Sequence, residues 1–225
     1  MTRLVMNVAA MVAGIVTAAG AAHAGQIAAT SYDMPNGDGQ ANGGEFNYWD
    51  ANYTGSGATT TDGAALSGGL GKLTDGVVST MPWYLVSNVA GTGQYVGWLM
   101  GPTPDPTVTF HFAGSPTITD IQIQMDNTQV GGVFAPAAIL FDGVAAPFTA
   151  PAAGSVGVVD FSGLHLTGGV LTVQFDQQPT TWTFVSEVSF FGSSVPEPRA
   201  WMLLIGGLAL TGAALRHRRS AALAA

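Results

Sequence analysis

Three aspartates in the Gly-rich first third of the chain, Asp50, Asp62 and Asp75, are the side chains best suited to metal chemistry. Calcium takes several oxygens, from carboxylates, amides and main-chain carbonyls. Asp62 precedes Gly63 and Asp75 precedes Gly76. An Asp-Gly turn can aim carbonyls inward because glycine accepts the backbone geometry this requires. These residues are therefore candidate ligands of a structural calcium, the alternative being plain Asp-Gly turns. The stretch "DGQANGG" opens like an EF-hand loop. It fails as one, since the twelfth position counted from Asp38 is Trp49 and not a bidentate glutamate.

Aromatic residues supply the other candidate chemistry. Trp83, Tyr84, Tyr95 and Trp98 flank the loop "NVAGTGQ". Sugar rings stack on exposed aromatic planes while nearby polar groups hold their hydroxyls. The four are candidate ligand-binding residues, or else core anchors. Tyr48, Trp49 and Tyr53 form a second group with the same two readings.

Catalytic constellations are scarce. Between Gly25 and Ser194 only His111 and His165 are histidines, each within a strand-like run, and no zinc-ligand spacing occurs. "GGLGKLT" imitates a phosphate loop, but Leu73 stands where Ser or Thr must hold magnesium and Leu66 replaces the leading glycine. Glycoside hydrolysis needs two carboxyls about 5–10 Å apart. The body has two glutamates, Glu45 and Glu187, among 13 acidic residues. Some pair is inevitable in such a set, so none is assigned a catalytic role. The expectation is a protein that is not an enzyme.

The elements that would carry these residues are strands. "TVTFHF" alternates Val108, Phe110 and Phe112 against Thr107, Thr109 and His111, and "DIQIQMD" alternates Ile121, Ile123 and Met125 against Gln122 and Gln124. "LTVQF" aligns Leu171, Val173 and Phe175. "TWTFVSEVSFFG" places Trp182, Phe184, Val188 and Phe190 on one face, with Ser186 a gap in the stripe. Turn signals separate the runs, at 113–116, Asp142-Gly143 and Gly168-Gly169. Short alternating strands about ten residues apart predict an all-β antiparallel sandwich. The first third is loop-rich but aromatic, which predicts ordered loops capping one end.

"GGLGKLTDGV", "DPTVTFHF", "ITDIQIQMDN" and "FVSEVSFFG" together resemble the galactose-binding-like jelly roll of discoidin and coagulation-factor C-type domains. The resemblance covers roughly residues 66–192. It implies a jelly-roll sandwich, carbohydrate or lipid head groups as ligands, a calcium near the Asp-Gly turn and little catalysis.

Both termini point to export. Arg3, an apolar stretch and Ala22-His23-Ala24 form the layout of a signal peptide cleaved between Ala24 and Gly25. Near the other end come Pro196, Glu197 and Pro198, then an uncharged run at 200–215 and Arg216, Arg218 and Arg219. As a helix that run reaches about 24 Å, slightly short of a bilayer core, and the arginines should stay cytoplasmic. This tail resembles the PEP-CTERM sorting signal. The resemblance implies an exosortase as partner, beside the secretion machinery, and a Gram-negative bacterium that makes extracellular polysaccharide. The expected domains are a signal peptide at 1–24, a sandwich at 25–194 and a sorting tail at 195–220 with a transmembrane helix at 200–215.

Charge narrows the function classes. The body holds 13 of the 14 acidic residues and, of the six basic ones, only Lys72, for a formal charge of −12. Such a surface repels nucleic acid and anionic lipid. There is no cysteine, so the fold relies on its core, and bound cations would relieve the self-repulsion of its charge. The expectation is a membrane-sorted surface or matrix protein whose non-catalytic sandwich binds extracellular polysaccharide. The alternatives are a purely structural matrix protein and a polysaccharide-active enzyme.

Overall fold

A computed structural model describes residues 25–39, 46–193 and Leu208. The signal segment through Ala24 lies outside these residues, as do Glu45, Pro196, Glu197, Pro198 and, save Leu208, the apolar run at 200–215. Among the described residues no helix is long and apolar enough to cross a membrane.

Among the described residues twelve strands form two antiparallel sheets. In chain order they are β1 (Gly25–Ile27), β2 (Ala29–Pro35), β3 (Ala65–Gly69), β4 (Val96–Leu99), β5 (Thr107–Phe112), β6 (Thr117–Asn127), β7 (Ala138–Phe141), β8 (Val144–Ala146), β9 (Ser155–Phe161), β10 (Leu166–Thr167), β11 (Val170–Asp176) and β12 (Trp182–Ser193). One sheet runs β3-β2-β5-β11-β7-β8. The other is built around β6 and β12, with β1 and β4 on β12 and with β9 and β10 on β6. The alternating runs fold as expected: Val108, Phe110 and Phe112 face inward while Thr107, Thr109 and His111 face out. Phe110 meets Phe190 and Phe141 meets Phe161 across the gap, each with ring centroids 4.8 Å apart. These edge-on pairs join the two inner faces into one core.

The last strand departs from the expected stripe. Val185 pairs with Met125 and Glu187 with Gln124, so Ser186 is an extra residue in a bulge. A one-residue slip sends side chains to the opposite face. Val188 and Phe190 therefore enter the central core together with Val185. Trp182 and Phe184 turn the other way and pack with Tyr48, Trp83 and Tyr95 in a second cluster. The sheet thus carries a cover of loop residues over the upper part of β12. Gly97 makes room for that cover, because a Cβ there would fall 2.1 Å from the Phe184 ring.

The registers set the two poles of the molecule. Gly25 pairs with Gly192 at one pole, where Thr117 and Val170 also lie. At the other, Pro35 pairs with Ala65 and Trp182 with Leu99, and the loop residues 36–39, 46–64, 100–106, 128–137 and 177–181 gather. Three of the four described non-glycine residues with positive φ, Asp105, Gln129 and Thr180, belong to these loops. Strained backbone of this kind persists only where its surroundings hold it.

Candidate functional site

Asp75 ends the 3-10 turn Lys72–Thr74, and Gly76 follows it with φ of 79°, the conformation expected of the Asp-Gly turn. That turn docks on the bulge of β12. The Gly76 N–H donates to Glu187 Oε2 at 3.0 Å, and the Ser189 hydroxyl donates to Glu187 Oε1 at 3.3 Å. Burial, seconded by the charge of Asp75, pushes Glu187 up to about 7, and burial raises Asp75 as well. Gln124 stands directly opposite Glu187 in the ladder. It donates to the Ser79 carbonyl, while its buried Oε1 has no partner. Two carboxyls and an orphaned amide oxygen thus share one corner.

The other two aspartates are engaged elsewhere. Asp50 is fully buried, accepts from the Tyr32 hydroxyl and takes the Lys72 N–H at 3.2 Å on both oxygens. Gly71 permits this close approach, since a Cβ there would fall 2.3 Å from Asp50 Oδ2. Asp62 is exposed and accepts from Gly39 N at 2.8 Å and Trp49 Nε1 at 2.6 Å. Among the described residues no three His, Cys, Asp or Glu side chains converge on a point. The structure therefore does not gather Asp50, Asp62 and Asp75 as one set.

Lys72, the body's single base, explains why "GGLGKLT" imitates a phosphate loop. Its side chain is buried, and Nζ donates to the carbonyls of Trp49, Gly91 (2.6 Å) and Tyr95 (3.2 Å). Burial pulls the ammonium down to about 8, against the attraction of Asp50 and then Asp75. A lysine so enclosed ties three loops together and is closed to a phosphate.

The expected aromatic platform needs correction. Trp98 and Tyr95 are almost wholly buried and Trp83 is 5% exposed. Trp98 lies in the central core, with Nε1 donating to the Pro35 carbonyl at 2.9 Å. Trp83 begins a single helical turn, α1 (Trp83–Val86), and its N–H donates to Asp126 at 2.8 Å. Tyr95 donates to the Met81 carbonyl at 2.9 Å. Only Tyr84 shows a face to solvent, at 41%. The loop they flank folds over β12, and Trp83 and Tyr95 became part of its cover. Of the second group, Tyr48 and Tyr53 are also buried and Trp49 is half-buried.

His111 lies on the outer face of β5, whereas His165 falls in the loop before β10 and not in the strand expected for it. His111 Nε2 lies 2.8 Å from Asp33 Oδ2, and His165 is exposed. Among the described residues no serine or threonine hydroxyl reaches either imidazole, so no nucleophile is paired with a base.

Sequence reasoning missed Glu187, Gln124 and Lys72 as a group. Glu187 is re-aimed by the bulge at Ser186, which the pairing of β12 with β6 reveals. Nothing local in sequence marks Gln124, which acts through its register with Glu187.

Comparison with known proteins follows the same outline. The sequence model of the discoidin domain-containing receptor 1/2 DS-like domain matches residues 28–192. No curated protein matches the chain. Among solved structures it is similar to a truncated AlyQ with CBM32 and alginate lyase domains, at 11% identity and a TM-score of 0.41, over 77% of this chain and 35% of that one. It therefore spans about a third of that protein's length. It is similar also to an F-lectin (fucolectin) from striped bass (Morone saxatilis) serum, at 11% identity and a TM-score of 0.36, over 76% of this chain and 79% of that one. A third similarity is to the Streptococcus pneumoniae beta-galactosidase BgaA, at 13% identity and a TM-score of 0.37, over 54% and 84% of the two chains.

Proposed function

The chain belongs to the discoidin domain-containing receptor DS-like family, and on that premise we propose that it is an exported, non-catalytic sandwich that binds extracellular polysaccharide. The observation that carries this reading is the family match over residues 28–192, which takes in both sheets. Relatives of the galactose-binding-like type bind carbohydrate or lipid head groups. A body with a formal charge of −12 disfavours anionic lipid, and carbohydrate is the ligand class this reading takes.

The Asp75–Glu187 corner is read as structural and not as a glycosidase pair. Glu187 is 4% exposed and both its oxygens are engaged, so it cannot reach a scissile bond. The donor set suits a calcium ion: two carboxyls and the orphaned Gln124 oxygen are hard ligands. A bound calcium would neutralise the pair and pin the Lys72–Thr74 turn to β12.

Export and sorting complete the proposal. Pairing of β1 with the end of β12 sends both ends of the body out at one pole. A tail anchored there would hold the loop pole away from the membrane, towards the matrix. An exosortase would then act at Pro196-Glu197-Pro198, and mass spectrometry of protein from the native host tests this. A mature chain still carrying Arg216–Arg219 would reduce the tail to a simple membrane anchor. A glycan array of the full chain, with and without calcium, tests the function itself. Selective retention is expected. Uniform silence would leave a purely structural matrix protein, a reading that the burial of three of the four platform aromatics favours.

A further inference from the structure

A shallow cleft of about 390 Å³ crosses the outer face of β2 and β5, walled by β3 and Gly63, with no aromatic residue in its lining. Its floor is a row of strand residues that the registers fix. Thr107 and Thr109 project outward from β5 about 6.8 Å apart, the two-residue repeat of an antiparallel strand. Thr109 lies directly opposite Asp33 of β2. Neither threonine hydroxyl has a hydrogen-bond partner among the described residues, so each offers a donor and an acceptor to whatever lies above it. Asp33 is held in a fixed orientation, with His111 Nε2 at 2.8 Å on one oxygen and Gly68 N at 2.7 Å on the other. Burial works to raise this carboxyl, but its hydrogen bonds from His111 and Gly68 outweigh that and keep it below the usual carboxylate range.

We propose that this cleft is a binding subsite for neutral, hydroxyl-rich polysaccharide, engaged by Asp33, Ser67, Thr107 and Thr109; the proposal rests on the reading of the chain as a polysaccharide binder. An ionised carboxylate accepts strongly from hydroxyl groups, and the threonines supply a second row of contacts parallel to it. Pro35 and Ala65 border the cleft and offer apolar surface to the C–H side of a sugar ring. Charge decides between polymer classes. The one carboxylate in the cleft faces solvent, no Lys or Arg lines the cleft, and the body's single base is buried under the other sheet's cover. Polyuronates are repelled, and neutral hexose polymers are not. With no aromatic plane in the cleft each contact is weak, so retention grows with polymer length as neighbouring units rebind.

The test uses the full chain in affinity electrophoresis through galactan, mannan and alginate, with oligosaccharides of rising length as competitors. The variants are a Thr107→Val/Thr109→Val double substitution, Asp33→Asn, and Asp160→Asn on the opposite sheet as control. Thermal melts show that each is folded, and Asp33→Asn stands alone if the double substitution does not fold. The expected result is retention by galactan or mannan and not by alginate, weakened at least tenfold by the cleft variants and unchanged by Asp160→Asn. Unchanged retention in folded cleft variants overturns the subsite and leaves the polysaccharide reading intact. Retention of the unaltered chain by alginate alone overturns the assigned class. Failure of the unaltered chain to bind any polymer overturns the reading and the subsite together.

Discussion

At the scale of single residues the buried aromatics make the clearest prediction. Trp98 fills the central core, so Trp98→Ala should cost about 3–5 kcal/mol in a denaturant melt, whereas exposed Tyr84→Ala should cost less than about 1 kcal/mol. Equal small losses at both positions would contradict the burial described. Lys72→Met should cost about 3 kcal/mol, because the Trp49, Gly91 and Tyr95 carbonyls lose their shared donor. A melt within about 0.5 kcal/mol of the unaltered chain would show those carbonyls have other partners. Glu187 gives a pH test with a definite sign. Its carboxyl sits at about 7, against an ordinary value of 4.5. Between those values the native chain holds more protons than the unfolded one. Metal-free stability should therefore be full below about pH 4.5 and fall as pH rises towards 7. Calcium binds the ionised pair, so its stabilisation should be larger at pH 8 than at pH 5, and Asp75→Ala should abolish it. A calcium effect equal at both pH values would remove Glu187 from the ligand set.

At the scale of elements, strand existence was legible in sequence and strand register was not. "TVTFHF" became β5 to the residue because alternation of aliphatic and hydroxyl side chains specifies a half-buried strand whatever its partners. The faces of "TWTFVSEVSFFG" are not those its alternation predicts, because Ser186 looks like a weak position in a stripe and is in fact an inserted residue. No single strand shows a bulge; the residues of the paired strand reveal it. The same limit hid the second aromatic cluster, since the loop that covers β12 comes from about a hundred residues earlier in the chain. Gly97→Ala tests this cover. Its methyl would fall on the Phe184 ring and should cost about 1–3 kcal/mol, with loss of near-ultraviolet dichroism from the Trp83–Phe184 cluster. A neutral substitution would mean that the loop cover is loosely packed.

At the scale of the whole molecule, composition gave more than any motif. A body with one base, no cysteine and a charge of −12 argues against nucleic-acid and thiol functions before any fold is considered. The candidate site was less legible, because metal and sugar ligands both depend on which residues meet across sheets. Asp75 was found from its turn, while Glu187 lies more than a hundred residues away and joins it only through folding. The proposed function is binding of neutral polysaccharide by this sandwich without altering it. The most direct measurement incubates the full chain with galactan and mannan, then follows polymer retention and reducing-end release in the same samples. Retained protein and polymer of unchanged length are expected. Shortened polymer with accumulating reducing ends, or no retention by either polymer, would contradict the proposed function.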